Sequence, residues 1–191
     1  MLPVISGRKG HVSRNLALSV RYEHDASNHS IDIANRVFAE SDCKNMRKLA
    51  IHSMYAIPLE LITYTGLTHL NFCGLTNADD VMGFIHKLPH LVSLNVYCLI
   101  LADSQSDFSI PECTEHEPVV PLDTQIKRLI ISQVGQELSP EPALSMLKYL
   151  LLRISTLRSV IGMIAPIEPI RAFIDEYVQW YPHLANIKLQ M

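Results

Sequence analysis

The sequence has few of the residues that mark specialised protein classes. Among its 191 residues are 7 glycines, 4 cysteines and a formal net charge of only −3. The low glycine content excludes a collagen-like chain and argues against nucleotide folds, which hold phosphates in glycine-rich loops. So small a net charge does not by itself indicate a charged partner. Because 48% of the residues are apolar, we expect one globular domain over residues 1–191.

Cysteine spacing and the amino-terminal residues indicate the compartment. The sequence has no C-x-x-C pair, so neither a thioredoxin-type site nor a zinc knuckle is predicted. The apolar run near Met1 is too short for a signal peptide. We therefore expect reduced thiols and an intracellular protein, cytoplasmic or nuclear.

The most apolar stretch, residues 143–166, raises the question of a membrane span. It contains Lys148, Arg153 and Arg158. Each charge would cost about 2.5–3.5 kcal/mol near the centre of a membrane helix. We therefore expect a buried segment of a globular domain and no contact with a membrane.

A short apolar frame recurs along the chain. Residues 88–96, LPHLVSLNV, match residues 181–189, YPHLANIKL. The shared frame has an apolar residue, two variable residues, an apolar residue, one variable residue and a third apolar residue. It occurs at Met46/Leu49/Ile51, Leu67/Leu70/Phe72, Leu91/Leu94/Val96, Ile126/Leu129/Ile131 and Leu184/Ile187/Leu189. Leu157 and Val160 begin a weaker copy that reaches Gly162, and residues 15–20 alternate like a degenerate first copy.

Apolar residues at helical spacing lie between the copies of this frame. The four stripes are Ile31/Ala34/Val37/Phe38, Val81/Met82/Ile85, Leu144/Leu147/Leu151 and Ile170/Phe173/Ile174/Tyr177. Asp79 and Asp80 suit the first turn of the second helix, while Pro140 and Pro169 suit the starts of the third and fourth. Each unit is therefore predicted to be a short strand followed by a returning helix.

Units of this kind cannot bury their apolar faces alone, so stacking them is expected to build one core. The pattern resembles an irregular leucine-rich repeat solenoid, of the type found in F-box-associated repeat proteins, fungal ones especially, over residues 12–191. The resemblance implies an α/β fold with a curved parallel sheet and helices on the convex side. The family's Asn or Cys after the strand is replaced by Met54, Leu75, Leu99 and Val134, and no F-box is evident.

An open doubly wound α/β sheet is the alternative fold, because it also alternates strands and helices. It calls for a glycine-rich turn after the first strand. Gly7 and Gly10 instead precede the first strand-like run, and the sequence has no G-x-G-x-x-G motif.

The resemblance places the variable residues of each strand on the concave side, because side chains alternate along a strand. These positions carry six Lys or Arg residues and no Asp or Glu. The predicted binding residues are Arg47, Lys48, His69, Asn71, Asn95, Tyr97, Lys127, Arg128, Arg158 and Lys188. Ala185 and Asn186 are predicted to lie on the same face. We therefore expect a basic binding face that the net charge conceals.

The function expected from this face is protein–protein interaction without catalysis. An acidic protein partner suits the face, and substrate recognition in an F-box-like ubiquitin-ligase complex is what the resemblance implies. Nucleic acid suits it less, because no aromatic residues are interleaved to stack bases. We expect no cofactor and no metal; His86 and His90 have helical ligand spacing, but Pro89 disfavours one continuous helix.

A small α/β hydrolase or transferase is the alternative function. Cys113 and His116 would supply its nucleophile and base, although no oxyanion hole is evident around them.

These two residues lie in an acidic insertion, residues 102–124. It contains six Asp or Glu residues and no Lys or Arg. One hypothesis is that this segment folds over the basic face and competes with a ligand. The last frame ends at Leu189 with no polar capping unit after it. The chain is therefore expected to be either a piece of a longer solenoid or able to self-associate through its carboxyl-terminal edge.

Overall fold

The computed structural model describes residues 15–20, 46–53, 66–76, 78–99, 108, 119–132, 141–163 and 167–190. In this part of the chain the strands are β1 (Asn15–Val20), β2 (Lys48–Ser53), β3 (His69–Thr76), β4 (Ser93–Leu99), β5 (Arg128–Ser132), β6 (Ser159–Met163) and β7 (Lys188–Gln190). The helices are α1 (Ala78–Lys87), α2 (Glu141–Arg153), α3 (Glu168–Tyr177) and a 3-10 helix at Pro182–Asn186. The helix predicted around residues 31–38 lies outside the described residues.

The strands form one parallel seven-stranded sheet, and each strand lies beside the strand that precedes it in the sequence. The coarse prediction of an α/β fold with a parallel sheet is therefore confirmed. Strand order follows sequence order without reversal across the described strands. A doubly wound sheet would reverse its order at a switch point.

The residue before each strand makes the same backbone hydrogen bonds from one unit to the next. The carbonyl of Arg47 accepts from the amides of Thr68 and His69, at 2.9 and 3.0 Å. The same two-amide pattern joins Thr68 to residues 92 and 93, Val92 to residues 127 and 128, and Lys127 to residues 158 and 159. The predicted frame thus marks positions with equivalent backbone geometry in successive units.

The core lies on one face of the sheet. The apolar frame residues of the strands are buried and form a single cluster with the buried faces of the helices. They are Leu49, Ile51, Leu70, Phe72, Leu94, Val96, Leu129, Ile131 and Val160. Parallel connections are right-handed, so strands added in one direction place their helices on the same face. The other face of the sheet is left for the variable residues.

The predicted helical stripes form the packing surfaces of the helices. Helix α1 buries Val81, Phe84 and Ile85, with basic residues in its last turn, where they interact favourably with the helix dipole. The later stripes are buried in the same way, except that Leu144 and Ile174 are only half-buried against the core. The helical predictions within the described residues are confirmed.

A common turn connects the helices to the next unit. The amide of Leu91 donates to the carbonyl of Leu88 at 3.0 Å, across the Pro89–His90 pair. The same bond joins Leu157 to Ile154 at 3.1 Å and Leu184 to Tyr181 at 3.0 Å. Leu91, Leu157 and Leu184 are all buried. The match between residues 88–96 and 181–189 therefore holds through this turn.

The match fails beyond the turn, and the predicted last frame is wrong by two residues. Val160 pairs with Leu189, whereas the predicted frame would pair it with Ile187. The 3-10 helix at Pro182–Asn186 inserts the additional residues. Ala185 and Asn186 consequently lie in this helix and not on a strand. Apolar residues three apart fit both the frame and a 3-10 turn, so their spacing alone could not separate the two structures.

The two weak copies of the frame both form strands. Residues Asn15–Val20 pair with β2 along their whole length. Strand β6 places Gly162 opposite Ile131, where the glycine is buried. The missing side chain therefore removes packing volume without removing the strand.

The described residues of the acidic insertion contact the helical side of the protein. The Phe108 ring meets Tyr149 of α2 edge to face at 5.6 Å, and the Val119 amide donates to Tyr181 Oη at 3.4 Å. The Leu122 amide donates to the carbonyl of Arg153 at 2.8 Å. The rest of the insertion, including Cys113 and His116, lies outside the described residues. None of the helices described here is both long and apolar enough to cross a membrane.

Candidate functional site

The open face of the sheet arranges its side chains in three rows. Parallel pairing in register places equivalent positions side by side across the strands. The first row is Lys48, His69, Ser93, Arg128, Ser159 and Lys188. The second row is Ala50, Asn71, Asn95, Ile130, Ile161 and Gln190. The third row includes His52, Cys73, Tyr97 and Ser132. Seven of the ten predicted binding residues therefore lie in these rows.

The other three, Arg47, Lys127 and Arg158, immediately precede strands at the amino edge of the sheet. Together with three residues of the first row they form what we call the basic rim. It consists of Arg47, Lys48, Lys127, Arg128, Arg158 and Lys188, and all six side chains are exposed. Because parallel strands begin at the same edge, residues far apart in sequence meet there.

Two arginines of the basic rim are anchored to backbone carbonyls of turns, Arg47 to the turn of the next unit and Arg158 to the turn before its own strand. Arg47 Nη1 donates to the carbonyl of Gly66 at 2.8 Å. Arg158 Nη1 donates to the carbonyls of Ser155 and Leu157, at 3.2 and 2.9 Å. These bonds restrict the two guanidinium groups while leaving their remaining N–H groups available to a ligand. Sequence reasoning selected both residues for their charge and gave no indication of this anchoring.

Acidic residues are absent from the rim and the three rows, as far as the structure describes them. The described Asp and Glu residues lie in the helices, apart from Asp123 in the connection before β5. Neighbouring cations without counter-charges create a positive potential that attracts anions. The charge separation inferred from the sequence is therefore present in the described fold.

In the second row, polar side chains at β3 and β4 are followed by apolar side chains at β5 and β6. Asn71 and Asn95 are paired neighbours, and the Ser93 hydroxyl donates to Asn95 Oδ1 at 3.5 Å. Asn71 Oδ1 is buried with no hydrogen-bond donor among the described residues. Ile130 is 7% exposed yet lies outside the core cluster, because it projects from the open face. Ile161 thus adds a half-buried apolar side chain beside the basic rim, next to the buried Ile130, and the predicted binding residues included neither.

The pKa of His69 reflects the burial and the charges around it in the first row. Partial burial lowers its pKa below the ordinary value of 6.5, and the neighbouring Lys48 ammonium lowers the pKa further. Its Nδ1 also shares a 2.9 Å hydrogen bond with the hydroxyl of Thr68. His69 is therefore a neutral hydrogen-bonding group at neutral pH, set beside permanent cations.

Replacing Lys48 by methionine is expected to raise the pKa of His69 only part of the way to 6.5. The substitution removes the ammonium charge but leaves the burial, which is the larger cause. An NMR titration of the imidazole resonances measures this shift. An unchanged pKa would contradict the proximity of the two side chains.

The lowered pKa of His69 also determines the direction in which folding stability changes with pH. Because the pKa is lower in the folded protein, the unfolded chain binds the proton more tightly. The contribution of His69 is present above pH 6.5 and is lost as the pH falls towards the lowered pKa. Replacing His69 by glutamine should flatten that part of the stability profile in urea titrations at several pH values.

The His and Cys residues of the described face lie apart from one another in chemical role. The described residues contain no group of three His, Cys, Asp or Glu side chains that could hold a metal ion. Cys73 is a half-buried free thiol that pairs in register with His52, and no hydrogen bond joins the two side chains. His86 lies in the last turn of α1 and His90 lies in the turn beyond the helix, as the proline between them predicts.

Comparisons with known proteins do not assign a function to this surface. No protein-family model matches the chain, and a search of curated proteins found no matching sequence. The resemblance to leucine-rich repeats therefore depends on the repeat frame itself.

Proposed function

We propose that the chain is a non-enzymatic interaction module of the leucine-rich-repeat type, which binds a protein partner on its open strand face. Sequential strand order, a single packed face and repeated hydrogen bonds between units support a solenoid over a doubly wound sheet. Each of these features is expected of stacked repeats, whose strand surfaces commonly serve as binding sites. Substrate recognition in an F-box-like ubiquitin-ligase complex, inside the cell, is the biological role that this proposal includes.

The basic rim is the observation that carries the proposal. Its six exposed cations come from four separate units and have no acidic neighbours on the described face. A solvated surface of mixed charge would not require this separation. An acidic protein surface would complement the rim and be steered towards it during association.

A protein partner suits the face better than a nucleic acid. Tyr97 is the one aromatic side chain in the three described rows. Proteins that bind single strands without sequence preference combine a basic groove with several aromatic stacking platforms. The amide side chains of Asn71 and Asn95 and the half-buried Ile161 instead provide the hydrogen-bonding and apolar contacts typical of protein interfaces.

Reversing two rim charges is expected to abolish capture of the partner. In the variant Lys127→Glu/Arg128→Glu, two exposed cations at the centre of the rim become anions, so attraction becomes repulsion. We expect at least a ten-fold loss of specifically recovered protein in quantitative pull-downs from a lysate of the source cells.

A matched control is Lys87→Glu/Arg171→Glu. It makes the same change in net charge on exposed helical positions, one in the last turn of α1 and one early in α3. This control should recover the partner as the wild type does. Equal recovery by the rim variant and the wild type would refute a binding role for the rim.

A further inference from the structure

We infer that the basic rim binds an extended acidic peptide that runs across the strands, with same-side carboxylates about four residues apart. This inference rests on the proposed function and specifies the shape and charge pattern of the partner. It follows from the uneven distribution of cations along the rim.

The rim consists of two positive groups separated by a neutral gap. The first group is Arg47 and Lys48 at β2, and the second is Lys127, Arg128, Arg158 and Lys188 at β5 to β7. Between them, β3 and β4 contribute His69 and Ser93 to the first row. At neutral pH neither side chain carries a full positive charge, because the pKa of His69 is lowered. A ligand that matches the rim must therefore also carry its charge in two groups.

The register sets the distance between these groups. Lys48 and Arg128 occupy the same row and are separated by three strand spacings, or about 14 Å. An extended peptide rises about 3.3 Å per residue, so four residues cover about 13 Å. Side chains two or four residues apart in an extended peptide point to the same side. Two carboxylates at positions i and i+4 would then reach both positive groups.

The gap offers contacts for the peptide backbone between the carboxylates. Asn71 and Asn95 follow His69 and Ser93 by two residues and lie next to the gap in the second row. Each amide side chain has both donor and acceptor groups. The buried Oδ1 of Asn71 has no donor among the described residues. Rotation of that amide towards a peptide N–H would satisfy this oxygen. The gap therefore suits a neutral spacer without large side chains.

A third carboxylate at position i+6 would face the wider positive group. Arg128 and Lys188 are two strand spacings apart, about 10 Å, with the Ser159 hydroxyl in the same row between them. The anchored Arg158 adds a further cation at this edge. The complementary pattern is thus one acidic residue, a neutral spacer and an acidic pair.

The test uses a series of labelled peptides of equal charge. The reference peptide is Glu-Ser-Gly-Ser-Glu-Ser-Glu, blocked at both ends, and its variants move the first glutamate to two, three, five or six residues before the acidic pair. Binding to the full chain is measured by fluorescence anisotropy at low salt. We expect the four-residue spacing to bind at least three-fold more tightly than the three- and five-residue spacings.

Rim variants identify which end of the peptide each group holds. Arg47→Glu/Lys48→Glu should remove the spacing preference and leave weak binding of the acidic pair. Lys127→Glu/Arg128→Glu should reduce the affinity at every spacing by at least ten-fold, while the control Lys87→Glu/Arg171→Glu changes none of them. Equal affinity at all spacings would overturn the inference, because a diffuse positive surface does not measure distance.

Two further arms separate this inference from its alternatives. An oligothymidylate of matched charge should bind more weakly than the reference peptide; tighter binding would overturn the inference in favour of nucleic acid. If pull-downs depend on the rim but the peptides show no spacing preference, the proposed function stands and the peptide geometry is wrong. If neither depends on the rim, both fail.

Discussion

Replacing Val96 by lysine is expected to unfold the protein, whereas lysine at the adjacent Asn95 should leave it folded. Val96 is completely buried among the core residues of the central strand β4. A charge placed there costs several kcal/mol in desolvation, comparable with the total stability of about 5–15 kcal/mol of a typical domain. Asn95 lies half-buried on the open face, where a lysine can extend into solvent.

Urea denaturation followed by circular dichroism measures both variants. Asn95→Lys loses the hydrogen bond from Ser93, so a cost of about 1 kcal/mol is expected. The two positions differ by one residue in sequence and by the face of the sheet in structure. Similar losses at both positions would contradict the assignment of one core face and one open face.

The faces could be predicted from sequence because their physical signal is local. Within each strand the apolar frame residues are two apart, as at Leu94 and Val96, and the residues between them are variable. This alternation fixes which side chains enter the core wherever one face is buried. Even the incomplete copy at Leu157 and Val160 forms a paired strand, because the neighbouring strand β5 supplies the backbone pairing.

The last unit shows where such reasoning stops. Leu184 and Ile187 satisfy the frame, yet Leu184 lies in a 3-10 helix and Ile187 caps its end before β7. The choice between these structures depends on whether Lys188 or Asn186 pairs with Ser159, which is a non-local event. Local spacing contains no information about that pairing.

The candidate site likewise has features that local sequence predicts and features that it does not. The charges of the rim and their placement at strand starts follow from the frame, so sequence alone identified Lys127 and Arg128. The distance between positive groups required the order and register of the strands. So did the anchoring of Arg47 by Gly66, a residue in the next unit. The proposed binding specificity therefore depends on stacking that only the assembled sheet defines.

Replacing Phe72 by alanine is expected to destabilise the protein by about 3–5 kcal/mol. Phe72 is 1% exposed in β3, and its ring lies 5.6 Å from that of Phe84 in α1 at a tilt of 45°. The substitution removes a large buried side chain and leaves a cavity between the strand and its helix. Urea denaturation monitored by circular dichroism gives the loss in the free energy of unfolding.

A double-mutant cycle with Phe84→Ala tests whether this strand–helix contact carries the stability of the unit. The two rings are in contact, so the double variant should lose less unfolding free energy than the sum of the two single losses. The expected difference is about 0.5 kcal/mol or more, as for other residues in contact. Phe108→Ala is the control, because Phe108 is half-buried and contacts Tyr149 in a different unit. Its effect should add to that of Phe72→Ala, since distant sites without shared partners are independent. Additive losses for Phe72 and Phe84 would mean that the helix does not pack on β3 as described, and the core face would have to be reassigned.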